Sequence, residues 1–270
     1  MPELPEVETS KRGITPHIIN QPVCDVILRH TQLRWPIPQD LLTHIKNEKV
    51  ISLERRAKYI LINFSTGTLL IHLGMSGNLR ICPLNSAPQK HDHADFIFTH
   101  CLLRFTDPRR FGAILWLGRH PESSSLLNKL GPEPLDDKFD SRYLYTLAKG
   151  RKIPVKQFIM DQKVVTGVGN IYATEALFMV GINPTRSAGN ISLKRYQLLV
   201  EAIKEILTQA IKQGGTTLKD FVGSDGKPGY FQQTLHVYGK AGEECPNCET
   251  ALKTVKLAAR TTVYCPQCQK

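Results

Sequence analysis

Four cysteines near the end of the chain constrain its folding more tightly than any other feature. Cys245 and Cys248 form one C-x-x-C knuckle, Cys265 and Cys268 a second, with sixteen residues between them. Each knuckle turns two thiolates toward one point, and two knuckles at this spacing predict a tetrahedral structural zinc site. A redox pair needs only one C-x-x-C, set in a βαβ pattern. Four thiolates leave no open coordination position, so one structural zinc ion is expected to fold the tail and do no chemistry, with no organic cofactor. Cys24, Cys82 and Cys101 stand singly among apolar neighbours and read as small buried hydrophobes.

A chain of 270 residues has room for two ordinary domains with proper cores. Its formal charge of +11, from 35 basic and 24 acidic residues, points to a polyanionic partner: nucleic acid or an anionic membrane surface. Four thiolates and one Zn²⁺ add −2, so a basic excess of about +9 survives the metal. No apolar run approaches the ~18 residues of a membrane span, and the first residues are acidic, unlike a signal peptide. The expectation is a soluble, cytoplasmic monomer.

Residues 5–19 read as a short helix, with Pro5 at its start and Glu6 and Glu8 suited to the dipole. Five β-type segments follow, at 23–30, 50–64, 68–81, 96–105 and 113–117, with Ser-Thr-Gly at 65–67 as a hairpin turn. They predict an antiparallel sandwich or barrel-like domain over 2–130. Proline, glycine and charge mark 131–142 as a linker, and helical periodicity takes over from 143 to 234. Within it, apolar residues from Leu193 to Ile211 fall on one helical face, capped by Ser192 and ended by Gly214-Gly215. Residues 216–233 are polar and glycine-containing and read as a long functional loop, before a zinc hairpin over 235–270.

The start of the chain carries the most reactive candidate. Removal of Met1 leaves the secondary amine of Pro2, a nucleophile on a rigid ring with Glu3 and Glu6 close by. Thr166-Gly167-Val168-Gly169-Asn170 precedes a helix-like run at 171–177 and suits a backbone phosphate, with the Asn170 amide as an added donor. It lacks the third glycine of a dinucleotide fingerprint, since position 172 is Tyr. Three basic clusters stand out: Arg55-Arg56 with Lys58, Arg109-Arg110, and Arg151-Lys152 with Lys156. At least half of these side chains read as solvated. Arg109 and Phe111 share a tight turn between strands, and an Arg and a Phe so placed can enter a duplex, one replacing lost base contacts and the other wedging a step; Met75, on a glycine turn, is a second candidate wedge. His91-Asp92-His93 with Asp95 alternates as metal ligands do, but without a third ligand in register the favoured reading is a loop histidine near a phosphate.

Together these residues form a known pattern. Met-Pro-Glu-Leu-Pro-Glu-Val-Glu-Thr at the start, Arg-Arg-Ala-Lys-Tyr at 55–59, Asp-Pro-Arg-Arg-Phe-Gly at 107–112, Gly-Val-Gly-Asn at 167–170 and the four-cysteine tail resemble the bacterial formamidopyrimidine-DNA glycosylase family, in order along the chain. The resemblance implies an α+β fold: an N-terminal β-sandwich, a helical domain with a helix-two-turn-helix, and a C-terminal β-hairpin zinc finger. It implies a bifunctional glycosylase and AP lyase of base excision repair, which removes 8-oxoguanine and formamidopyrimidines from double-stranded DNA and cuts by β,δ-elimination. Pro2 resembles the family's nucleophile, Glu3 the acid at the ribose ring oxygen and Glu6 a supporting carboxylate. Lys58 and Arg260 match catalytic residues beside the scissile phosphates. His91, Arg109, Lys152 and Asn170 match DNA contacts, Met75, Arg109 and Phe111 resemble the residues that fill the void, and 216–233 resembles the loop over an oxidised purine.

Three rival readings stand beside this one. An endonuclease VIII-type enzyme would prefer oxidised pyrimidines; Leu4 and the long 216–233 segment favour the purine enzyme. A non-catalytic zinc-ribbon DNA-binding protein leaves Pro2 idle, and a tautomerase with Pro2 as general base leaves the zinc finger and basic clusters idle.

Overall fold

The computed structural model describes residues 2–215 and 235–270; the expected 216–233 loop lies outside them. The described chain forms two compact units, one of residues 2–128 with 213–215, the other of 129–212 with 235–270.

In the first unit, helix α1 (Leu4–Ile18) begins with Pro5 in its first turn. It buries Leu4, Val7, Ile14 and Ile18, one face at helical spacing. The strands are β1 (Asp25–Leu28), β2 (Ser52–Arg56), β3 (Tyr59–Phe64), β4 (Gly67–His72), β5 (Asn78–Cys82), β6 (Asp92–Ile97), β7 (Leu102–Thr106) and β8 (Ala113–Trp116), with a short helix α2 (Leu41–Ile45) between β1 and β2. They make two antiparallel four-stranded sheets, ordered β2-β3-β4-β8 and β1-β6-β7-β5. A single core joins them: Ile60, Ile62, Leu69 and Ile71 from the first, Leu79, Phe96, Leu103 and Phe105 from the second, with the buried face of α1. This is the expected β-sandwich.

Three of the five expected β segments are each two strands. Residues 50–64 break at Ala57, which has φ of 55°, so the chain reverses there and presents Lys58 on the β2–β3 turn. Residues 68–81 break at Gly74, φ 65°, where the chain leaves one sheet for the other. Residues 96–105 fold back as the β6–β7 hairpin. Each pair of strands carries apolar residues on both sides of its turn, so the pair reads as one segment.

The Asp92–Asp95 stretch lies in strand β6, not in a loop. Asp95 accepts two bonds from the buried Arg104 on β7 (2.8 Å each) and one from Arg29, while Asp92 accepts from Arg80 at 2.9 Å. A β-bulge at His93 turns its Nε2 onto the Asp107 carbonyl at 2.7 Å. These carboxylates are therefore spent on arginines across the sheet.

The second unit holds α3 (Ser141–Ala148), α4 (Val155–Met160), α5 (Asn170–Met179) and α6 (Leu193–Lys212), then the β9–β10 hairpin (Lys253–Leu257, Arg260–Tyr264). Asp140 caps α3 by accepting from Tyr143 N at 2.7 Å, and Ser192 Oγ accepts from Arg195 N at 3.3 Å at the start of α6. Tyr196, Leu199, Ile203, Leu207 and Ala210 are the buried face of α6, whereas Leu193 is exposed; Gly214 and Gly215, both at positive φ, follow its end as expected. Gly131 N reaches Gln162 O at 2.8 Å and Thr166 N reaches Pro132 O at 3.1 Å, so 131–132 packs along the turns joining α4 to α5.

Burial pushes the Asp95 carboxyl up, but hydrogen bonds from Arg104 and Arg29 outweigh it and hold it below its usual range. Its stabilisation is therefore present above the ordinary value of 3.8 and lost as pH falls through the lower folded value. Asp95→Leu leaves Arg104 buried without this partner and should cost about 3 kcal/mol. Urea unfolding at pH 7 measures the loss.

Candidate functional site

In the sandwich unit, Pro2 is buried and Glu3, 1 % exposed, is the N-cap of α1. The Glu3 backbone N–H donates to Glu6 Oε2 at 2.8 Å, so Glu6 closes the first turn and fixes the direction of the chain leading to Pro2. Gly215, φ +80°, packs on Glu6: a Cβ there would meet Glu6 Oε1 at 3.1 Å. Two residues further along α1, Glu8 accepts from Arg12 (2.7 Å) and from Arg55 of β2 (3.0 Å). Arg55 also donates to Ala57 O at 3.0 Å, which ties α1 to the turn bearing Lys58. Lys58 is half-buried.

Two further turns meet in this unit. Leu73-Gly74-Met75 follows β4, and Asp107 to Gly112 joins β7 to β8. A Cβ on Gly74 would lie 2.5 Å from the backbone of both Phe111 and Gly112, so only glycine permits this approach. Asp107, 0 % exposed, fastens both turns. It accepts from Ser76 Oγ (2.9 Å), Arg109 N (3.2 Å) and Gly112 N (2.8 Å), and its own N–H donates to His91 O at 3.0 Å. Met75, half-buried, therefore sits on a turn abutting that of Arg109 and Phe111. The Arg109 guanidinium lies 5.3 Å over the Phe111 ring, which is 46 % exposed. A cation stacked on an exposed aromatic makes a flat, positively charged probe. His72 supports the other side: its Nδ1 accepts from Gly74 N at 3.2 Å. Burial, with Arg34 and Lys58 nearby, holds the His72 imidazole down at about 4, so the ring is neutral at pH 7.

In the helical unit, Gly169 caps α5 and Asn170 is its first residue. The expected cationic cluster divides here. Arg151 and Lys152 are exposed, but Lys156 is 1 % exposed and donates to Asn170 Oδ1 (2.6 Å) and Thr262 Oγ1 (2.7 Å). Asn170 Nδ2 in turn donates to Thr261 O at 3.2 Å. The Asn170 side chain is thus held by the fold, and Lys156 joins α4, α5 and β10 instead of presenting charge to solvent. Arg260 opens β10 and is exposed, just after Ala258 and Ala259 at φ 44° and 60°.

The four cysteine Sγ atoms all lie within 4.8 Å of one another. Tetrahedral Zn–S bonds of ~2.3 Å put sulfurs about 3.8 Å apart, and contacts of 3.3, 3.5 and 3.9 Å bracket that value. The set fits one structural zinc ion, as expected. The hairpin's apolar core is small, Val237, Leu252 and Val263 against Phe178 of α5, so the metal supplies cohesion that burial alone does not.

Glu175 was not singled out in the sequence, yet it docks this hairpin. It is fully buried on α5 and accepts from three successive backbone N–H groups, His236 (2.8 Å), Val237 (2.9 Å) and Tyr238 (2.7 Å), and from His236 Nδ1 at 3.1 Å. Burial pushes its carboxyl up, but these bonds win and hold it below the usual range. The same carboxylate raises the His236 imidazole above 6.5. The Glu175 contribution is lost as pH falls below 4.5 through its folded value, and the His236 contribution fades as pH rises through its own, so the clasp is complete between 4.5 and 6.5. Glu175→Gln should weaken docking by about 3 kcal/mol, read as roughly hundredfold faster amide exchange at 236–238 with zinc bound.

Three family models match the chain: the formamidopyrimidine-DNA glycosylase N-terminal domain over 1–114, its H2TH domain over 130–222, and the zinc finger found in FPG and IleRS over 242–270. A formamidopyrimidine-DNA glycosylase of Psychromonas ingrahamii is 76 % identical over 269 residues, covering all of both chains. Two solved Lactococcus lactis structures also align over the whole of both chains. One, the G226P mutant with Fapy-dG-containing DNA, is 30 % identical with a TM-score of 0.93. The other, the wild type with oxidised-pyrimidine-containing DNA, is 31 % identical with a TM-score of 0.92. By sequence along its whole length and by fold, the chain belongs to the formamidopyrimidine-DNA glycosylase family.

Proposed function

We propose that this protein excises oxidised purines, 8-oxoguanine and formamidopyrimidines, from duplex DNA, with the Pro2 amine as nucleophile. The observation that carries the reading is Pro2 itself, held at the start of a capped helix with Glu3 and Glu6 on its first turn. Family membership makes it a DNA glycosylase of base excision repair, and AP lyase activity is the family's second property.

With Met1 removed, the Pro2 lone pair bonds to C1′ of the damaged nucleotide while the bond from C1′ to the base breaks. Glu3 protonates the ribose ring oxygen as the sugar opens. Proline nitrogen has a single hydrogen to lose, so the Schiff base is a cationic iminium that draws electrons from C2′. Loss of a C2′ proton expels the 3′ phosphate, and a second elimination expels the 5′ phosphate. Lys58 and Arg260 serve these departures as charged donors beside the phosphates.

The damaged nucleotide must first leave the stack, which costs a few kcal/mol. Met75, Arg109 and Phe111 fill the vacated space, while His91, Lys152 and Asn170 hold the backbone. In this reading 2–130 is the catalytic domain, 131–142 connects it to the helix-two-turn-helix domain at 143–234, and 235–270 is the zinc finger. No helix among the described residues is long and apolar enough to cross a membrane. The proposed location is the cytoplasm, on the nucleoid when bound to DNA, as a monomer.

A preference for oxidised pyrimidines is the second reading, since a Lactococcus lactis relative is complexed with such DNA. Product analysis on matched 8-oxoguanine and thymine-glycol duplexes should show faster purine release and gaps with phosphate at both ends; faster pyrimidine release reverses the assignment. One residue left ahead of Pro2 should abolish strand cleavage while binding to an abasic-analogue duplex stays within about threefold. An active extended form contradicts the amine mechanism.

A further inference from the structure

Beside the Arg109–Phe111 turn lies a pocket of about 430 Å³ whose walls include Arg29, His30, Lys90, His91, Pro108 and Arg110. Its one lining carboxylate, Asp92, has no exposed side-chain surface and is already engaged by Arg80 and by the Gln89 N–H at 2.8 Å. Lys90 and Arg110 are exposed, and Arg29 is steadied from behind by Asp95. The Arg110 Nη1 lies 2.8 Å from His30 Nε2. A guanidinium has only donors, so His30 Nε2 is the acceptor of this contact.

The walls are set by the fold. Arg29 N and His30 N both donate to His93 O, at 2.8 and 3.4 Å, and His93 is itself held to Asp107 O. Asp107 thereby links the pocket to the turns that carry Met75 and Phe111. Three cations around one polar hollow, with the nearest carboxylate spent, match a tetrahedral anion bearing several acceptor oxygens.

We propose that Arg29, His30, Lys90 and Arg110 form a phosphate-binding site, an anchor beyond the DNA contacts assigned above. It rests on the reading that the protein acts on duplex DNA. The phosphate is either a backbone phosphodiester or a free phosphate group, two sources with one recognition chemistry.

Two measurements on the full zinc-loaded chain test it. Binding to a duplex with a non-cleavable abasic analogue is followed against salt for wild type and for Lys90→Gln with Arg110→Gln. Loss of one contact should shrink the slope of log affinity against log salt by about 0.9, with affinity about tenfold weaker at low salt. The imidazole NMR signals of His30 are followed in parallel. A shift with duplex alone identifies the backbone, and a shift with millimolar inorganic phosphate identifies a site for free phosphate. An unchanged slope with an unmoved His30 overturns the proposal. Borohydride crosslinking of wild type to abasic DNA keeps the two readings apart: it persists if only the pocket is wrong and is absent if the lyase reading fails.

Discussion

A carboxylate withdrawn from water must be given hydrogen-bond donors, and both units use that demand to fasten turns and loop segments to the elements beside them. Asp107 gathers two turns and the His91 segment around one buried side chain. Glu175 collects three consecutive backbone N–H groups and so moors the zinc hairpin to α5. Glu8 spans 47 residues to Arg55 and secures the turn bearing Lys58. At Asp107 and Glu175 the anchored segment is irregular backbone whose N–H groups the carboxylate satisfies.

This arrangement separates the framework from the residues proposed to carry the chemistry. Sheets and helices carry the apolar cores, while Pro2, Lys58, Met75, Arg109, Phe111 and Arg260 stand at element ends or turns. Such positions are mobile by default, and a catalytic group displaced by about 1 Å can lose a hundredfold in rate. Buried ionic clasps limit that movement without adding bulk near the substrate. The zinc ion does the same for Arg260, fixing a hairpin whose own core is four apolar side chains around the cysteines.

The cysteine knuckles, the α6 face with its Ser192 cap and glycine stop, and the glycines ahead of Asn170 were legible because each signal is local: a spacing, a period or a cap. The β-sandwich was legible as a class but not strand by strand, since the turns at Ala57 and Gly74 are set by single residues at positive φ. Lys156 groups by sequence with Arg151 and Lys152, and its burial is not legible there because charge says nothing of burial; Asn170 and Thr262, its partners, are 14 and 106 residues away. Glu175 and Asp107 do not read as anchors for a similar reason, since most of their donors are backbone N–H groups, which no sequence pattern displays. The motif resemblance supplied the roles of Glu3, Lys58 and Arg260, which residue chemistry alone left open.

The central claim is that the chain brings a flipped deoxyribose to the nitrogen of Pro2. Borohydride reduction during reaction with an 8-oxoguanine duplex, followed by tryptic digestion and mass spectrometry, tests it most directly. The account predicts the sugar remnant on the peptide spanning residues 2–11, attached at the proline nitrogen. A remnant on a lysine peptide, with the N-terminal peptide unmodified, would contradict it.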